Sequence, residues 1–163
     1  MNKLIHRKQF LSLTTLGVGS IVGGFVHGQV QQKPPPLDPE LVKEFVIKSH
    51  SDVQRVKELF AREPGLLNCS YDWGGGDFET GLEASGHVGN RDIALFLLEN
   101  GGRLNVFCAA MLGRIDIVKA VLTAFPDLKT SKGPHGLQLL HHAKKGGESA
   151  KEVLDYLQSI GAQ

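Results

Sequence analysis

Residues 80–101 read Thr80-Gly81-Leu82-Glu83-Ala84-Ser85-Gly86-His87-Val88-Gly89-Asn90-Arg91-Asp92-Ile93-Ala94-Leu95-Phe96-Leu97-Leu98-Glu99-Asn100-Gly101. Ser85 and Gly86 are small enough to let two helices approach closely, and Gly89 permits a left-handed turn between them. Asp92 suits the first turn of a second helix, where a carboxylate favours the dipole. Ile93, Phe96 and Leu97 fall at helical spacing and predict a buried stripe. Asn100, Gly101 and Gly102 stop the helix. This stretch therefore predicts a helix, a glycine turn, a second helix and a stop.

The same pattern recurs on both sides. Downstream, Ala109 and Ala110 take the small positions, Gly113 the turn, and Ile117, Val118, Val121 and Leu122 the stripe, before Pro126 ends it. A last copy begins at Gly136 and runs through Leu139, His141, His142 and Ala143. Residues 147–149 lengthen its turn, and Val153, Leu154 and Leu157 lead to a stop at Gly161. An incomplete first copy spans residues 41–67, with Val53, Val56, Leu59 and Phe60 as its stripe and Pro64-Gly65 beyond it. Several copies in phase point to a repeat array, in which each helix pair buries its apolar face only by stacking on the next.

These residues resemble the ankyrin repeat, whose pattern is Thr-Pro-Leu-His, a small pair, a glycine, an apolar second helix and a terminal glycine. Thr80-Gly81-Leu82 matches the opening with Gly for Pro, and Glu83 stands where the family has His. The resemblance covers roughly residues 39–161. It implies an all-α, ankyrin-like solenoid of about four helix-turn-helix repeats, with second helices behind and first helices plus projecting fingers lining a concave side. Gly89 and Gly113 are 24 residues apart, well short of the family's ~33. No full finger is therefore expected at residues 103–105. Residues 68–79 can keep one, and residues 126–137 another.

The start of the chain reads as an address. Lys3, Arg7 and Lys8 precede an uncharged apolar run over residues 10–26, and Val26-His27-Gly28 forms a plausible cleavage site. Residues 1–28 are thus expected to be a signal peptide, with an uncleaved inner-membrane anchor as the alternative. Arg7-Lys8-Gln9-Phe10-Leu11 resembles the bacterial twin-arginine export motif with Lys for the second arginine. General secretory export remains open, and a periplasmic or otherwise exported protein is expected. Residues 29–38 are polar and Pro-rich, an extended linker before a repeat domain over residues 39–163. The whole chain, 163 residues with a formal charge of +1, has no global basic field for nucleic acid. Residues 1–28 hold three of the 18 basic side chains and none of the 17 acidic ones, so the rest carries −2.

The expected function is a non-catalytic protein–protein interaction module in the cell envelope, probing a partner with its concave face and loops, and monomeric. The local candidates are Tyr71, Trp73, Asp77 and Phe78, where aromatic side chains on a turn give large contact area at low entropy cost. Packing of Trp73 and Phe78 under their own loop competes with that reading. Gly74-Gly75-Gly76 reads as a finger tip, since no Lys-Ser/Thr ending makes it a phosphate loop. A small exported enzyme, or a dedicated chaperone or immunity partner of a periplasmic enzyme, is the alternative. No local motif gathers a nucleophile, a base and an orienting group.

No cofactor and no metal are expected. His135, His141 and His142 are close in sequence and His87 lies near another inter-helix turn. The adjacent pair points about 100° apart on a helix, and no carboxylate or cysteine is placed to complete a tetrahedral set. One of that pair is expected at an inter-repeat hydrogen-bonding or small-residue position. Cys69 and Cys108 could be bridged in an oxidising compartment or remain buried thiols.

Overall fold

The computed structural model describes residues 33–162. The expected signal segment, residues 1–28, and the first residues of the expected linker lie outside them. The described chain is mostly helical. Its helices are α1 (Pro39–Lys48), α2 (Val53–Arg62), α3 (Gly81–Val88), α4 (Arg91–Glu99), α5 (Val106–Met111), α6 (Ile115–Ala124), α7 (Leu139–Lys145) and α8 (Lys151–Ser159). Strands β1 (Ser70–Asp72) and β2 (Phe78–Thr80) form an antiparallel hairpin between α2 and α3.

Consecutive helices pack as pairs: α1 with α2, α3 with α4, α5 with α6, and α7 with α8. The first helices also form a row, α1 on α3, α3 on α5 and α5 on α7. Behind them α2 meets α4 and α6 meets α8. Two apolar clusters result. One gathers Phe45, Val56, Leu59, Leu82, Ile93 and Leu97, and the other Val118, Leu122, Leu139, Val153 and Leu157. Helix α5 joins them, giving Cys108 and Met111 to the first cluster and Ala109 and Ala110 to the second. Because Cys108, Ala109 and Ala110 at its centre are small, it can be covered on both sides.

Local chemistry explains the helix ends. Asp52, Thr80, Asn90 and Asn105 each cap a helix by accepting from a backbone N–H of the first turn. At α3 the cap is reciprocal: Thr80 Oγ1 accepts from the Glu83 N–H, and Glu83 Oε2 accepts from the Thr80 N–H. Glu83, at the position the repeat pattern gives to His, thus has a capping role, and its Oε1 also accepts from Asn105 at 3.0 Å. At the other ends, left-handed Gly89, Gly101, Gly113 and Gly161 are each followed by an N–H that reaches back into the helix. Asn90 donates to the Ser85 carbonyl at 2.8 Å and Arg114 to that of Ala109 at 2.9 Å, the Schellman closure.

Two of the connections follow the expectation from their lengths, while residues 126–137 form no second hairpin and keep only an isolated bridge. Residues 102–105 pass directly from α4 to α5 with no hairpin. The hairpin finger fills residues 70–80, and its Ser70–Thr80, Tyr71–Glu79 and Asp72–Phe78 pairing puts Tyr71 and Glu79 on one face. That face turns inward, since Glu79 is buried while Asp72 and Phe78 are exposed. Before α7, the chain makes two short 3₁₀ turns, Pro126–Thr130 and Pro134–Gly136, and a single bridge between Lys132 and Gln138.

Candidate functional site

The tip of the finger is built from its own sequence. Gly74, Gly75 and Gly76 all take positive φ, Asp72 Oδ1 accepts from the Gly74 N–H at 2.8 Å, and the Trp73 N–H closes onto the Asp77 carbonyl at 2.9 Å. Three successive left-handed residues are available only to glycine without strain. The turn throws Trp73 back over the inward face. Its indole N–H donates to Glu79 Oε2 at 2.9 Å, and its ring meets Tyr71 edge to face at 4.9 Å.

Three of the four expected contact residues therefore have partners within the chain. Tyr71 lies between Trp73 and the ammonium of Lys43, which stands 5.7 Å from its ring centroid. Trp73 holds Glu79 but stays 40% exposed. Asp77 Oδ1 accepts from the His135 N–H at 2.9 Å, and its Oδ2 lies 2.8 Å from His135 Nδ1. Phe78, on the outer face, is 57% exposed.

Under the finger, four side chains from four segments converge. Glu79 comes from β2, His50 from the turn after α1, His87 from the last turn of α3, and His135 from the second 3₁₀ turn. His87 Nε2 is 2.8 Å from Glu79 Oε1 and 3.1 Å from His50 Nε2. His135 Nε2 is 3.4 Å from Glu79 Oε1, and His50 Nε2 is 3.7 Å from Oε2. The carboxylate is fully buried, while the three imidazoles keep partial access to solvent. Burial by itself would raise the Glu79 carboxyl. The polar contacts with His87 and Trp73, and the charges of His50 and His87, outweigh it and hold the group below its ordinary range. Asp77 is also lowered, chiefly by the backbone N–H of His135.

His135 has a left-handed backbone, φ +58°, the sole non-glycine in that state among the described residues. Such a conformation costs of order 1–3 kcal/mol and persists where its surroundings impose it. Here it turns one ring to both Asp77 and Glu79. An open depression of about 510 Å³ adjoins the cluster and is lined by His50, Ser51, Gly89, Asn90 and Arg91 among others.

The remaining histidines have separate duties. His141 Nε2 donates to the His87 carbonyl at 2.8 Å, a bond between helix pairs. His142 is buried against the Phe107 ring, with Nδ1 2.9 Å from the Gln138 carbonyl. Burial pushes it down to about 4, helped by the charges of His141 and His87 and opposed by the Gln138 bond. Its depressed value makes folding insensitive to it above about pH 6.5 and costly below. The penalty should grow as pH falls from 6.5 to 4 and approach about 3 kcal/mol below that window. Urea unfolding across pH 4–7 should show a shallower decline in His142→Gln than in the natural chain. Cys69 and Cys108 are unpaired thiols, pushed up by burial to about 11 and about 12, so neither supplies a thiolate near neutral pH.

The sequence pattern singles out His87 and His135 but not His50 or Glu79. The local signal for Glu79 is strand alternation: a charged residue between Phe78 and Thr80 must face opposite to both. Which face is covered is a tertiary fact. No family model matches the chain, and comparison with curated proteins gives no match.

Proposed function

We propose that this chain is an exported, ankyrin-like solenoid acting as a non-catalytic protein-binding module, with its finger as the principal contact. The observation that carries the proposal is the exposure of aromatic surface on the finger: Phe78 on its outer face is 57% exposed, and Trp73 on the other face keeps 40%. Rigid aromatic side chains on a short turn are efficient anchors, because little conformational freedom is lost when they are covered. The recurring pairs and their Gly89 and Gly113 turns support the ankyrin-like reading, as does a finger projecting from the junction of two pairs. The basic start and apolar run at residues 3–26 support export. Among the described residues, no helix is long and apolar enough to cross a membrane.

Affinity capture from a bacterial envelope fraction tests this, with the natural chain and Phe78→Ala as baits. Phe78→Ala is the informative change because Trp73→Ala would also remove the donor to Glu79. One stoichiometric partner is expected on the natural bait and at least ~10-fold less on the variant, the loss of a typical aromatic anchor. Equal capture on both baits would overturn the assignment of the finger.

A further inference from the structure

We propose that His50, Glu79, His87 and His135 bind one divalent transition-metal ion of the zinc class, which staples the finger to the helix pairs behind it. One ligand atom from each residue lies within 4.8 Å of all the others. A tetrahedral zinc site with bonds of about 2.0–2.1 Å has edges of about 3.3 Å between ligand atoms. With Glu79 Oε1 as the carboxylate ligand, His87 Nε2 at 2.8 Å, His135 Nε2 at 3.4 Å and the 3.1 Å between His87 and His50 Nε2 bracket that value. All three imidazoles turn Nε2 inward.

Their outer contacts supply an independent reason. His50 Nδ1 stands 3.1 Å from the carbonyls of Val46 and Ile47, and His135 Nδ1 stands 2.8 Å from Asp77. These acceptors keep the proton of a neutral ring on Nδ1, leaving the Nε2 lone pair directed into the cluster. Metal-bound histidines are fixed by this outer arrangement. Trp73 does the same for the carboxylate by occupying Oε2. The other oxygen, Oε1, is buried with no aligned hydrogen-bond donor, although His87 and His135 lie beside it. A buried acceptor without a donor is costly, and a cation among the four groups removes that cost. The strained backbone of His135 completes the set.

Three imidazoles and one carboxylate, without thiolate, suit zinc and its first-row neighbours in preference to magnesium or calcium. Four protein ligands describe a closed structural site, whereas catalytic zinc keeps a position free. The ligands span residues 50–135 and come from the first helix pair, the finger, the second pair and the turn before α7, so one ion would tie together segments that the chain brings near only on folding. The site stands whether or not the finger binds a protein.

The test uses the full chain, stripped with chelator and titrated with zinc chloride by calorimetry, with bound metal counted by mass spectrometry. One zinc per chain, with a dissociation constant below about 1 µM and a raised thermal midpoint, is expected. His135→Ala changes a partly exposed side chain, so it should keep the helical circular dichroism while weakening zinc at least ~10-fold. Asp77→Asn, which disturbs only the outer contact, should weaken it ~10–100-fold. Substoichiometric zinc, or equal affinity in the natural chain and His135→Ala, would overturn the proposal and leave the cluster as a histidine–carboxylate ion network.

Discussion

Leu97→Ala is expected to lower the unfolding free energy by about 2–5 kcal/mol, since the removed methyl groups leave a cavity that close-packed neighbours fill only in part. Leu97 is fully buried in the first apolar cluster, with Ile93 and Ala94 one turn before it on α4 and Val56 and Leu59 on the adjacent α2. Stacked helix pairs concentrate this effect, because each pair buries part of its apolar face on its neighbours. Leu95 offers the control: two residues away on the same helix, it is 38% exposed. Leu95→Ala should stay within about 0.5–1 kcal/mol. Urea unfolding of the three chains gives the comparison. Equal losses at positions 95 and 97 would mean that α4 turns a different face to the core.

A second large effect is expected at Gly113. Its φ is +74°, where a side chain costs about 1–2 kcal/mol. A Cβ at this position would also run into the backbone carbonyl of Ser149, in the turn between α7 and α8. Relieving that overlap moves main chain on one side or the other, for which about 1–3 kcal/mol is typical. Gly113→Ala should therefore cost about 2–5 kcal/mol in thermal or urea unfolding. Gly161 separates the two causes. Its φ is +66°, but a methyl group added there would meet nothing within 4 Å. Gly161→Ala should show the backbone cost alone, about 1–2 kcal/mol. If both variants lose the same amount, the approach of Ser149 to the turn carries no energetic weight.

Much of the local structure is legible in the sequence because it depends on neighbouring residues. The glycine turn at Gly89, the stop at Gly101 and the break at Pro126 all lie where the pattern places them. The finger at residues 70–80 overlaps the expected 68–79 and the bare crossing at residues 102–105 covers the expected 103–105, whereas residues 126–137 keep an isolated bridge in place of a second hairpin. Periodicity locates the stripes but over-extends them: Ile93, Leu97, Val118 and Leu122 are buried, while Phe96, Ile117 and Val121 are only partly covered. Helical spacing defines a face, and the neighbouring helix decides how wide a part of it is covered. Phe96 sits at the margin, edge to face with Phe60 at 5.8 Å.

The site is a different case. Tyr71, Trp73, Asp77 and Phe78 form one aromatic loop in sequence, yet the fold divides them. Trp73 and Asp77 hold Glu79 and His135, and Phe78 faces solvent. Spacing on a single helix is the wrong measure for the histidines, because the three that meet come from three different segments and the carboxylate from a fourth.

What the sequence by itself determined was the order of helices, turns and caps, since capping, glycine φ and apolar period act over a few residues. Only the tertiary structure decided which face of the finger is covered, and that His50, Glu79, His87 and His135 share one small volume. Those outcomes follow from how the helix pairs stack and how the segment before α7 folds back against the finger through Asp77 and His135. They are long-range packing choices that no window of neighbouring residues contains.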